Sequence, residues 1–256
     1  ALILGVGAFK PPAACSVFAV STGADVLLGR NYDFYYAFKD HVESYFTKPS
    51  NGFSSIGDTD IFVGREDGVN ERGLAIAMAV VKSMEVKPGI NFSLLVRCIL
   101  DKCTDVREAT DVLTSAHHVS AYNYLVAGKE GDIIVVEACP GRVRVRKPEE
   151  KQGFIVCTNQ FMHPGMKDFE NQRERPSDSM QRYLTINEKL KQLRGKVTVR
   201  HAQKILSDHN GLVCSHREEI QLGTLWSIIA TLKKPTVYRA EDLYEKSQQQ
   251  LRTRQR

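Results

Sequence analysis

Runs of β-branched and aromatic residues at 16–22 (SVFAVST) and 25–33 (DVLLGRNYD) predict two strands. Gly23-Ala24 between them supplies the positive φ of a tight turn, so the pair reads as a hairpin. After an irregular stretch rich in Ser, Gly and Asn, 60–64 (DIFVG) and 73–81 (GLAIAMAVV) predict two more strands. The second is apolar on both faces, as expected for a strand held between layers. Over 92–116 the spacing becomes helical, with a break at Thr104-Asp105 where a polar N-cap restarts the helix. Strand character returns at 121–127, 132–138, 142–146 and 153–158. Helices are predicted over 178–193, capped by Asp178 or Ser179 and ended by Gly195, and over 198–209. The last strands are 223–231 and 236–240, turning at Lys233-Lys234-Pro235. Strand runs interrupted by two helix pairs suit a single α+β domain of two packed sheets with helices on both outer faces.

Composition narrows the function classes. The 256 residues are 42% hydrophobic and 25% charged, which excludes collagen-like, disordered and disulfide-scaffold classes. The 35 basic and 30 acidic residues leave a net charge of +5. The basic stretch 182–201 and the tail 246–256 lack interleaved aromatics, so no nucleic-acid partner is expected. No apolar run reaches the roughly 18 residues that span a bilayer, so a soluble chain without membrane insertion is expected, cytoplasmic or exported. Six cysteines without a CxxC pair argue against a zinc ribbon or a thioredoxin motif and leave the compartment open. Residues 1–14 open on an apolar run (ALILGVGAF) followed by Lys10, Pro11 and Pro12, and read as a leader removed on maturation. The tail from about 246 reads as frayed.

The candidate chemistry lies in the first hairpin. Turning at 23–24, its partners sum to about 47, which sets Cys15 opposite the Arg30–Asp33 region. A guanidinium beside a thiol lowers its pKa, yet arginine cannot serve as the base. Cutting the Ala14–Cys15 bond would supply one, because a free α-amine titrates near about 7.7–8.0. Two other readings of Cys15 stand beside this one: a buried apolar cysteine, and the lipid anchor of an exported binding protein. His209, Cys214 and His216 suggest a zinc hydrolase, but their spacing matches no common zinc pattern. Local hydrogen bonding is the simpler reading, and no metal or cofactor is assigned. Asn70-Glu71 reads as a turn, Asn123 as a buried hydrogen-bonding residue, Trp226 as core and His117-His118 as surface.

The stretch CSVFAV (15–20) followed by GRNYD (29–33) resembles the start of the N-terminal-nucleophile cysteine amidases. These include choloylglycine hydrolases, penicillin V acylases and acyl-CoA:6-aminopenicillanic acid acyltransferases. DGVNERGLAIA (67–77), AYNYLVAGKEGDIIVVE (121–137), VCTN (156–159) and SMQRY (179–183) resemble later family segments in the same order. DH-x4-CSH (208–216) and TLWSII (224–229) are most similar to the acyltransferase branch. The resemblance implies a four-layer αββα sandwich and a small-molecule acyl amide substrate, and it is consistent with a homo-oligomer. It makes Cys15 the nucleophile, and gives Arg30 and Asp33 the thiolate and the α-amine to set. Asn159 becomes the oxyanion donor, Arg182 a support of the active-site network, and a backbone N–H near Val80 or Val81 a second donor.

Overall fold

The computed structural model describes residues 14–61, 63–150, 152–174 and 178–241. The expected leader, apart from Ala14, and the expected frayed tail lie outside these residues. Strands β1 (Ser16–Ser21) and β2 (Val26–Tyr35) pair as a hairpin in the expected register, with Ser16 opposite Asn31 and Val17 opposite Arg30. Gly23 turns it at φ 78°. Two strands, β3 (Glu43–Thr47) and β4 (Ser55–Thr59), occupy the stretch expected to be irregular. The segment 60–64, expected to be a strand, is instead the connection from β4 to β5 (Asp67–Asn70). Its apolar side chains do not mark a buried strand, because Val63 is 65% exposed.

Strand β6 (Leu74–Val81) leads to α1 (Phe92–Lys102) and α2 (Val106–Ser115). The break between the helices falls where Asp105 accepts from the Glu108 N–H as N-cap. Strands β7 (Ala121–Gly128), β8 (Ile133–Cys139), β9 (Arg142–Arg146) and β10 (Phe154–Cys157) follow. Helices α3 (Ser179–Leu193) and α4 (Val199–Leu206) then precede β11 (His216–Arg217), β12 (Leu222–Thr231) and β13 (Thr236–Glu241). One antiparallel sheet runs β10-β1-β2-β12-β11, with β13 also on β12; the other runs β3 to β9 in chain order.

The alternation of β6 explains the layering. Ala75, Ala77 and Ala79 point between the sheets and meet Val17, Ala19 and Leu28, whereas Leu74, Ile76 and Met78 point outward beneath α1 and α2. On the opposite outer face, Phe18, Val20 and Leu27 pack under Ile186, Leu190 and Ile205 of α3 and α4. The order helix, sheet, sheet, helix is therefore a four-layer αββα sandwich. One irregularity matters for the site: β12 pairs Thr224 with Asp33 but Trp226 with Tyr32, leaving Leu225 as a bulge. The extra residue reverses the facing of β12. Thr224 meets Asp33 on the helix side, and Trp226 stacks on Tyr32 between the sheets, with ring centroids 3.9 Å apart.

Candidate active site

Cys15 precedes β1 and is fully buried, with its side chain in the layer between the sheets. The backbone still continues upstream into Ala14, also buried, whose N–H donates to the Asp33 carbonyl at 3.3 Å. The sulfur lies against the Asp33 backbone N–H and the Arg30 guanidinium. Burial nevertheless raises the thiol pKa, and Arg30 opposes that rise without overcoming it. The hairpin alone suggested a lowered value. The difference arises because the sulfur is fully buried, so desolvation outweighs the Arg30 charge, and the nearby Asp33 carboxylate adds to the rise. A sulfur so enclosed does not suit a lipid tether.

Beneath Arg30 lies a buried set of acids that the sequence reading did not single out. Asp67 accepts from Arg30 and, at 3.0 Å, from Trp226 Nε1. Tyr32 Oη donates to Asp60 at 2.8 Å, and Arg239 pairs with Asp58. Burial pushes Asp58 up to about 7, with Asp67 adding repulsion, and pushes Glu66 well above the ordinary carboxylate range. Trp226 is thus a core residue with a polar duty. The only sequence signal was the density of acids in DTD (58–60) and RED (65–67), whose partners are distant in the chain.

Asp33, on the helix side of β2, accepts from Thr224 Oγ1 at 2.6 Å. Its Oδ2 is buried without a hydrogen-bond partner. Burial raises its pKa to about 7 against the pull of Arg182 and the Thr224 hydrogen bond. Arg182, fully buried on α3, ties the rest together. Its Nη1 donates to the Cys15 carbonyl at 2.5 Å and to Ser16 Oγ at 2.9 Å. Its Nη2 donates to Asn159 Oδ1 at 2.9 Å. With Oδ1 held there, Asn159 Nδ2 faces away and donates to the Val80 carbonyl at 2.9 Å. Val80 therefore meets this network through its carbonyl oxygen. Asp178, expected as a helix cap, makes no capping hydrogen bond and instead pairs with Arg182 and Arg217.

Asn159 follows β10 in a short bridged segment, and Asn123 of β7 holds that segment from both sides. Its Nδ2 donates to the Thr158 and Gln160 carbonyls, each at 2.8 Å. Asn70 ends β5 and holds the expected turn: its Oδ1 accepts from the Arg72 and Leu74 N–H groups, while its Nδ2 donates to the Leu100 and Cys103 carbonyls at the end of α1. His118, expected at the surface, is buried and bonded to the Leu113 carbonyl at 2.8 Å. Cys15, Arg30, Asp33, Asn159 and Arg182 thus form one connected set around the Ala14–Cys15 linkage.

Two facing antiparallel sheets with helix pairs outside both are the layered sandwich of the N-terminal-nucleophile hydrolase fold. The chain belongs to the acyl-coenzyme A:6-aminopenicillanic acid acyl-transferase family, matched over residues 20–244. Membership places it among the enzymes of linear amide hydrolysis and acyl transfer. No curated protein matches it in sequence. Among solved structures, a variant of the conjugated bile acid hydrolase from Clostridium perfringens is similar at a TM-score of 0.68 and 16% identity, covering 89% of each chain. An ortholog of N-acylethanolamine-hydrolyzing acid amidase from Caenorhabditis elegans is similar at 0.64 and 19%, covering 84% of this chain and 92% of that one. Penicillin V acylase from Agrobacterium tumefaciens follows at 0.59 and 15%, covering 90% and 83%.

Proposed function

We propose that the chain is an autoprocessed cysteine amidohydrolase or acyltransferase, acting on linear non-peptide acyl amides through a thioester on Cys15. The observation that carries this reading is the convergence of Arg30, Asp33 and Arg182 on a buried Ala14–Cys15 linkage. In maturation the Cys15 sulfur attacks the Ala14 carbonyl carbon, the C–N bond breaks, and the acyl group passes to sulfur. Water hydrolyses that thioester, frees the upstream segment and leaves Cys15 with a thiol and an α-amine.

In turnover the α-amine takes the thiol proton, and the thiolate attacks the substrate carbonyl. The oxyanion that develops is met by an Asn159 N–H, in the orientation that Arg182 enforces. Collapse expels the amine, which takes the proton back from the ammonium. Water then releases the acid, or an acceptor amine takes the acyl group. The partnerless Oδ2 of Asp33 is a ready acceptor for the new ammonium, whose charge would return Asp33 to its carboxylate form. The family's name pairs an acyl-coenzyme A donor with 6-aminopenicillanic acid. The similar structures are named for conjugated bile acid, N-acylethanolamine and penicillin V substrates. The shared element is an acyl group that is transferred, and the substrate class proposed here is that acyl group held on nitrogen in a linear amide.

The test is intact-mass analysis of purified protein, with and without Cys15→Ala, followed by incubation with a panel of acyl amides. The panel holds penicillin V, conjugated bile acids and N-acyl amino acids, with amine release as the readout. Maturation should remove residues 1–14, and Cys15→Ala should stay intact and inactive. A fully active preparation whose upstream segment is still attached would refute the mechanism.

A further inference from the structure

Outside this network, the structure brings together the three donors that suggested a metal in the sequence although their spacing matches no common zinc pattern. His209, Cys214 and His216 place their ligand atoms within 4.8 Å of one another. The Cys214 sulfur is 3.5 Å from His216 Nε2, and the rings of His209 and His216 lie face to face at 5.3 Å and 22°. They border a cavity of about 680 Å³ walled by α4, β12 and β13.

We propose that His209, Cys214 and His216 bind one zinc-type divalent cation, with water from the cavity completing a tetrahedron. The distances carry this. Zinc bonds of about 2.3 Å to sulfur and about 2.0–2.1 Å to nitrogen place tetrahedral S and N ligands about 3.5 Å apart. That is the spacing already present between Cys214 and His216. The remaining gap is at most about 1.4 Å beyond the tetrahedral N···N separation of about 3.4 Å. It closes by rotation of His209, an exposed residue. A thiolate and two neutral imidazoles are the borderline-soft set that favours zinc over magnesium or calcium.

The surroundings fit a held site. Tyr36 Oη lies 3.4 Å from His216 Nδ1, so the nitrogen facing away from the cation has a partner that fixes the ring. Asp208 closes the loop between the ligands, accepting from Gly211 N–H with its carboxylate and from the Val213 and Cys214 N–H groups with its carbonyl. Ser215, between two ligands, donates its N–H to Thr224 Oγ1, and Thr224 donates to Asp33. A cation here would clamp the segment that carries this relay.

Titrating the full chain with zinc chloride, followed by calorimetry and by metal analysis after gel filtration, tests the proposal. One zinc per chain is expected. Cobalt(II) in its place should show thiolate-to-metal charge-transfer absorption that Cys214→Ser abolishes. Loss of a ligand should weaken binding by more than about 100-fold, beyond the usual cost of losing an outer-shell partner. His209→Ala alters an exposed side chain and tests the site even if Cys214→Ser does not fold. Retention of no zinc would overturn the proposal, as would binding that both variants leave unchanged.

Discussion

Replacing Arg182 by lysine tests whether the buried guanidinium acts by orienting Asn159. Lysine keeps the positive charge beside Asp33 and Asp178 but reaches one end of the network, whereas the planar fork of arginine reaches both. Arg182 makes three hydrogen bonds of 2.9 Å or less, to the Cys15 carbonyl, Ser16 Oγ and Asn159 Oδ1. Losing two of them should cost about 1–3 kcal/mol of stability, which chemical denaturation measures. The larger effect should be on rate. Without Arg182 on its Oδ1, the Asn159 amide is free to turn its oxygen toward the oxyanion position. The loss then approaches that of an oxyanion donor, about 2.7–4 kcal/mol or about 100- to 1,000-fold in kcat. Steady-state kinetics of matured Arg182→Lys, Asn159→Ala and the double variant measure it, using whichever panel amide turns over. If Arg182 works through Asn159, the double variant is no slower than Asn159→Ala alone. Fully additive losses, or an Arg182→Lys enzyme of normal kcat, would refute the reasoning.

Asn123→Ala removes both clamps on the Asn159 segment and should lower kcat with little change in KM, and Asn123→Asp should not restore it, because a carboxylate repels the two carbonyls. Asp67→Asn leaves the Arg30 charge short of its main partner and should destabilise the chain by about 3–5 kcal/mol in urea melts; a change below about 1 kcal/mol would contradict the pairing. For the uncut Cys15→Ala chain, the fold raises the Asp33 pKa from an ordinary 3.8 to about 7. The protonated acid therefore contributes stability that is complete below the unfolded pKa and lost as pH rises through about 7. The melting temperature should fall between pH 4 and 8, less steeply in Cys15→Ala/Asp33→Asn, and equal slopes would count against a buried neutral Asp33.

The first hairpin was legible because its register needs only a turn position, and Gly23 supplies one. The helix break at Asp105 was legible for the same local reason, a side chain capping its own turn. Strands β3 and β4 were not. Glu43–Tyr45 lie exposed at a sheet edge, and the buried positions of β4 include Gly57 and Asp58 instead of an apolar run. Asp58 is tolerated there because it pairs with Arg239, 181 residues away, and no local pattern reports such a partner. Likewise the motif resemblance located Asn159 and Arg182, whereas the hydrogen bond joining them, and the clamp from Asn123, appeared only with three-dimensional contacts.

The single unmatched residue at Leu225 limits how this chain can vary in length. Deleting it would restore regular pleating and swap the sides of everything before or after it. Either Thr224 would leave the hydroxyl-to-carboxyl contact with Asp33, or the indole would be turned out from under Arg30. Hairpin tips such as Glu130-Gly131 can gain or lose residues at small cost, but this strand must keep its count, and a homologue without the bulge would need a different way to serve both faces.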